Sequence, residues 1–243
     1  MSAISRWIVP ALLWAAWFPQ PSLAAENELS AEEKAAGWVL LFDGNSLEKF
    51  RPDPKREYFK WVAEEGVLTN KPAVFPADPN YSPFNLFTVE EFGDCVLKFD
   101  FHFGPDPEAG HSGVVLKTTK PHSYTPNELT VALFGPARKP GHFCTGAFRF
   151  HLKPVKQDAM KPAGEWNTMT VTLQAKQVKV ELNGELVNQL DLSEWTEPKK
   201  RPDGTPHLVP LALADLPKNS PIGFRDDYGI PIYLRNVKIK PLD

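Results

Sequence analysis

Strict alternation between apolar and polar residues is the feature that most limits this chain. From Cys95 to Phe103, Leu97, Phe99, Phe101 and Phe103 share one parity, and Lys98, Asp100 and His102 share the other. A period of two over that length describes a strand with one buried face. Trp166–Gln174 repeats it, with Met169, Val171 and Leu173 inward and Thr168, Thr170 and Thr172 outward. Gln177–Asn183 repeats it again through Val178, Val180 and Leu182. Asn183-Gly184 then supplies a two-residue hairpin turn whose central positions both need positive φ, and Glu185–Leu190 returns beside it.

Further strands are expected at Trp61–Thr69, Leu86–Val89, Ser112–Thr118, Glu128–Phe134, Phe143–His151, Ile222–Arg225 and Ile232–Lys240. Near the start, the apolar run Val39–Phe42 breaks at a turn of Asp43, Gly44 and Asn45. Only Ala31–Ala36 reads as a helix, and a short one. So many strands with so little helix predict an all-β fold of two packed antiparallel sheets. The 25 prolines gather between strands, notably in Thr196–Pro221, which reads either as a lid or as a structural wrap, and in Pro72–Pro83.

The first residues read as a signal peptide over 1–25. Arg6 is followed by the apolar run Trp7–Phe18 and then by the small residues of Ser22-Leu23-Ala24-Ala25. That run is too short to span a bilayer. The expectation is an exported protein, periplasmic or extracellular, whose mature part, 26–243, forms a single β-sandwich domain. The net charge is −3 before cleavage and one unit more acidic once Arg6 is gone. This balance argues against nucleic acid or an anionic membrane as partner and suits a small neutral ligand such as a sugar. Cys95 and Cys144 both open predicted strands. An oxidising compartment permits a bridge between them, and two buried thiols fit as well.

Several familiar sites are excluded. No His-Glu-x-x-His sequence is present, and no glycine-rich loop precedes a helix. Gly110-His111-Ser112-Gly113 lacks the glycine two places after serine that a nucleophile elbow needs, because Val114 stands there. The paired carboxylates of a sandwich glycosidase, Glu-x-Asp-x-x-Glu on one strand face, are also missing. Parity offers another constellation. If the strands carrying them share a sheet, Asp100, His102, Lys117, Glu128, Arg149 and His151 collect on its second face. An ordinary solvated face with scattered ion pairs would show the same pattern.

A series of short motifs runs along the chain in fixed order. Gly37–Phe50 reads GWVLLFDGNSLEKF. His111-Ser112-Gly113 is followed by Lys117 and then by Glu128 and Thr130. Thr145-Gly146-Ala147, Gly164-Glu165-Trp166-Asn167 and the Asn183-Gly184 hairpin come next, and Pro221-Ile222-Gly223 and Leu234-Arg235-Asn236 close the series. In this order the chain resembles the 3-keto-disaccharide hydrolase family over nearly all of its mature length. The resemblance implies a concanavalin-like jelly roll.

It also implies a reaction. The ketone at C3 acidifies the C2 proton, a base removes it, the enolate expels the C1 aglycone, and water then adds. Applied to the residues that parity and the motifs offer, this reaction would make Glu128 or His102 the base, Lys117, Arg149 or Arg225 the partner of the enolate oxygen, and His111 the donor to the leaving oxygen. Asp100, His151, Thr130 and Asp227 would contact substrate. No cofactor is required, although a divalent metal held by Asp100, His102, His151 or Glu128 is an alternative source of positive charge.

The chain departs from the family pattern at several positions, among them Leu133 or Phe134 where the family commonly has an aspartate. Thr130 and Arg225 replace glutamines, and Asp227 or Tyr228 stands near a missing histidine. The rival reading is a non-catalytic carbohydrate-binding or structural jelly-roll module, with Tyr58, Tyr81 and Tyr124 as loop aromatics. Locally, Trp166 reads as a core anchor and Arg235-Asn236 as a bulge in the last strand.

Overall fold

The computed structural model describes residues 25–51, 60–71, 85–106, 108, 110–121, 127–139, 141–156, 158–227 and 230–242. The leader up to Ala24, the Pro72–Pro83 loop, Tyr58, Tyr81, Tyr124 and Tyr228 lie outside them. One short helix, α1 (Ala31–Ala35), begins at Ser30, whose hydroxyl accepts from the Glu33 amide while Glu33 reaches back, a capping box. The strands that follow are β1 (Val39–Leu40), β2 (Phe50–Arg51), β3 (Lys60–Glu64), β4 (Val67–Lys71), β5 (Leu86–Phe92), β6 (Cys95–His102) and β7 (His111–Thr118). After them come β8 (Glu128–Phe134), β9 (Asn167–Gln174), β10 (Gln177–Leu182), β11 (Glu185–Asp191), β12 (Ser220–Phe224) and β13 (Tyr233–Pro241). No helix among the described residues is long and apolar enough to cross a membrane.

The described strands form two antiparallel sheets, as the alternation requires. One runs β11-β10-β9-β6-β13-β4-β3, with β1 also on β13; the other runs β2-β5-β12-β7-β8. Between them lies the core. Leu97, Phe99, Phe101, Met169, Val171, Val178 and Val180 face it from the first sheet, and Val114, Leu129, Val131, Leu133 and Phe224 from the second. The fold is the expected jelly-roll sandwich.

Three strand expectations change. Trp61–Thr69 is a hairpin, β3–β4, because Glu65 and Gly66 take φ of 50° and 77° and turn the chain. Trp166 is only half buried. The Arg235 guanidinium lies 4.2 Å from its ring centre, so it packs on the outside of the first sheet. Phe143–His151 is no regular strand. It follows the free edge of β8 through Ala132 N–H to Ala147 O at 2.8 Å and Arg149 N–H to Thr130 O at 2.9 Å. Phe150, at φ 67°, then ends the alternation. The Arg235-Asn236 bulge is present, with a register shift against β6 and φ 53° at Asn236.

Cys95 and Cys144 are both free and buried. Cys95 lies on β6 in the main core, whereas Cys144 packs with Ala132, Phe134 and Ala147 on the far face of β8. Thr196–Pro221 folds on itself, with Lys199 N–H reaching Val209 O at 2.9 Å, and is tied to the body where His207 Nε2 meets Phe150 O at 3.0 Å and Lys176 Nζ donates to Ala214 O at 2.7 Å.

The far face of the second sheet is tightly built. A Cβ placed on Gly223 would meet the Phe87 ring at 2.4 Å. Gly223→Ala should therefore destabilise the protein by about 1–3 kcal/mol, read as a lower urea midpoint. An unchanged midpoint would show that Phe87 has room to move.

Candidate active site

Every residue of β8 is buried, although alternation leads one to expect an exposed second face. Glu128, Thr130, Ala132 and Phe134 point away from the core and are covered by the segment around Arg149 and by the chain leaving β12. Cross-strand pairing puts Thr130 opposite Val115 and Phe134 opposite His111, so these share that face. Arg225 continues β12 by donating its N–H to Gly113 O at 2.8 Å, while the Ser112 hydroxyl donates to Arg225 O at 2.6 Å. Gly113 is needed there: a Cβ would stand 2.7 Å from Thr130 Cγ2 and 3.3 Å from Arg225 Cδ.

Arg225 spans two carboxylates. Its Nη1 donates to Glu128 Oε1, and its Nη2 donates to Asp227 Oδ1 at 3.1 Å. Asp227 also accepts from Arg149 Nη1 at 2.5 Å, and His111 Nδ1 lies 3.3 Å from Oδ2. Thr130 Oγ1 donates to Glu128 Oε1 at 2.9 Å. Exposure of Glu128, Arg149, Arg225 and Asp227 is 8%, 7%, 4% and 1%. Such charges persist away from water only because each has a partner.

The two carboxylates are driven apart. Burial pushes Glu128 above the usual carboxylate range, and the attraction of Arg225, Thr130 and Arg149 does not cancel it. Burial acts on Asp227 too, but His111, Arg225 and Arg149 outweigh it and hold Asp227 well below its ordinary value. Desolvation opposes the charge on Arg225, yet Glu128 and Asp227 raise its pKa above normal. The result is one carboxylate fixed as an anion and one prepared to take a proton.

Of the residues nominated from sequence, Glu128, Thr130, Arg149, Arg225, Asp227 and His111 converge. The others do not. Asp100 and His102 lie on the outer face of the first sheet, because β6 pairs with β9 and β13 rather than with β7 or β8. There Asp100 accepts from Thr168 at 2.6 Å and from Asn236 at 2.7 Å, and His102 stacks on Tyr233 at 4.6 Å. Lys117 is turned inward by a bulge after Val115 that pairs it with Leu129. Its ammonium donates to Lys218 O, and burial lowers its pKa.

His151 is buried behind Arg149. Its Nδ1 sits 2.6 Å from Arg149 O, so Nδ1 carries the hydrogen and Nε2, buried and without a partner, carries none. His207 Nε2 donates to Phe150 O at 3.0 Å. Two neutral imidazoles thus brace consecutive carbonyls and fix the backbone from which Arg149 reaches Asp227. Sequence offered no signal for His207 beyond its place in a long proline-rich loop, and none for Gly113 as the space for Arg225.

The metal expectation does not fit these positions. No group of three or more metal-ligating side chains is found among the described residues. Of the four nominated, two stand on the other sheet, His151 serves Arg149, and Glu128 serves Arg225.

Comparison with known proteins agrees with this architecture. The model of the 3-keto-alpha-glucoside-1,2-lyase-like domain matches residues 37–240, and the chain belongs to that family. Two crystal structures from Parabacteroides distasonis, each described as a candidate glycosyl hydrolase, resemble it. One shares 30% identity, with a TM-score of 0.68, over 84% of this chain and 99% of that one. The other shares 23% identity, with a TM-score of 0.70, over 90% of this chain and 100% of that one, and bears on the fold alone. A comparison with curated proteins finds no match. The chain is thus a carbohydrate-active protein of glycosyl-hydrolase-like type.

Burial, the largest influence on His151, pushes its pKa down to about 4. Unfolded histidine binds a proton near pH 6.5, so folding stability is lost as pH falls from about 6.5 to about 4, by about 3 kcal/mol in all. Thermal unfolding followed across that range should show this slope, and His151→Gln should flatten it. An equal slope in the variant would assign the acid sensitivity elsewhere.

Proposed function

We propose that this chain is an exported enzyme that cleaves 3-keto-glycosides, 3-keto-disaccharides among them, by elimination followed by hydration. The observation that carries this reading is the convergence of Glu128, Arg149, Arg225, Asp227 and His111 in one buried cluster, where two guanidinium groups hold Asp227 and one holds Glu128. Elimination beside a ketone needs one base and donors at the developing enolate oxygen, and no second carboxylate acting as acid or nucleophile. Glu128 removes the C2 proton. The electron pair moves onto the C3 oxygen, where N–H groups of Arg225 and Arg149 stabilise it. Asp227, held as an anion, keeps both guanidinium groups in place. The enolate then collapses and breaks the C1–O bond, while His111 protonates the departing oxygen. Water adds across the C1–C2 double bond, its hydroxyl going to C1 and its proton to His111, while Glu128 returns a proton to C2. The family match supports this substrate, and the leader sequence supports export.

The second reading, a carbohydrate-binding module without turnover, draws on one observation: Arg225 already occupies the carboxylate that would act as base.

Product analysis on 3-keto-glucosides and their unoxidised parents separates the two. The keto forms alone should be cleaved, and Glu128→Gln should lower kcat by at least about a hundredfold. The wild-type kcat/KM should fall on the acid side with a single protonation whose pKa lies above that of an ordinary glutamate, since the base must be ionised. Saturable sugar binding with no turnover would establish the second reading.

A further inference from the structure

Phe143 is 42% exposed, and among the described residues no other phenylalanine, tryptophan or tyrosine is left so open. An isolated exposed aromatic carries little meaning, but this one is held in place. Its ring meets Phe150 edge-on at 5.2 Å and Phe134 edge-on at 6.2 Å. Phe134 in turn meets His111 at 4.5 Å. The next residues are tied down as well: Thr145 Oγ1 accepts from Phe134 N–H and donates to Phe134 O, at 2.8 and 2.7 Å. The Arg149 guanidinium carbon stands 5.8 Å from the centre of the Phe143 ring, so this apolar surface borders the cluster that holds Glu128.

The charges of that cluster are balanced, two guanidinium groups against two carboxylates. These charges already pair with one another, so a neutral ligand fits beside them without breaking an ion pair. A fixed apolar ring beside a balanced polar cluster is the arrangement that binds a molecule with one apolar face and a rim of hydroxyls. A closed pyranose ring has that form; an open-chain polyol does not.

We propose that Phe143 is a stacking platform for the sugar ring, so that the site selects neutral closed-ring pyranosides through their C–H face. This rests on the sugar-cleaving reading above, but it concerns binding, and binding can be measured apart from turnover. The probes are methyl 3-keto-glucoside, methyl glucoside and sorbitol, titrated calorimetrically into wild type, Phe143→Ala and Phe143→Trp, with thermal melting as the check on folding. Phe143→Ala should weaken the keto-glucoside about tenfold, Phe143→Trp should retain or improve it, and sorbitol should bind all three equally poorly. In turnover, Phe143→Ala should raise KM far more than it lowers kcat. Ring-sugar binding lost in Phe143→Ala without any wild-type turnover would overturn the cleavage reading and leave the platform standing. Equal affinity of wild type and Phe143→Ala for the keto-glucoside, or no ring-sugar binding by wild type, would overturn the platform.

Discussion

Asp227 accepts hydrogen bonds from Arg225 and Arg149 and lies beside His111 in a place almost closed to water. Three segments distant in sequence meet at this one carboxylate: the start of β7, the segment bordering β8 and the chain leaving β12. Removing a partner from such a buried charge is costly, by about 3–5 kcal/mol. The same interaction sets the chemistry. Because Asp227 engages both guanidinium groups, Glu128 is left with a share of one, and its own burial decides where it titrates.

The site depends equally on a sheet buried on both faces. Gly113 and Gly223 keep the outer face of the second sheet low enough for Arg225 and Phe87 to lie across it. His151 and His207 hold the Arg149–Phe150 backbone from behind. Asn70 adds a further restraint, donating to Asp226 Oδ1 at 2.8 Å and accepting from Ile232 N–H at 2.8 Å, which anchors the chain that presents Asp227. Rigid support of this kind places polar groups in advance of the ligand and spares the reaction that reorganisation.

Much of this was legible in the sequence. Period two gave most of the strands and nominated Arg149, Asn183-Gly184 gave a hairpin, and the ordered motifs pointed to Glu128, Arg225, Asp227 and His111. Parity, however, assigns a residue to a face and says nothing of which sheet the face belongs to. Asp100 and His102 therefore seemed to join Glu128, although β6 lies in the opposite sheet. Lys117 was misplaced by one bulge, which a local pattern of branched residues does not announce. Phe150 adopts a left-handed conformation that its residue type disfavours, so the end of alternation before His151 was invisible. His207 acts through a contact that only the folded chain creates. The departures from the family pattern at Arg225 and Asp227 turn out to be partners of one another.

The central claim is that this site removes a proton from C2 of a keto sugar. The direct measurement is the rate of cleavage of a 3-keto-glucoside carrying deuterium at C2, compared with the protonated substrate under single-turnover conditions. The account predicts severalfold slower cleavage of the deuterated substrate, with solvent hydrogen at C2 of whatever product forms after Glu128 has exchanged its deuteron. Equal rates with full retention of the deuterium would show that the C2 bond is never broken, and would contradict it.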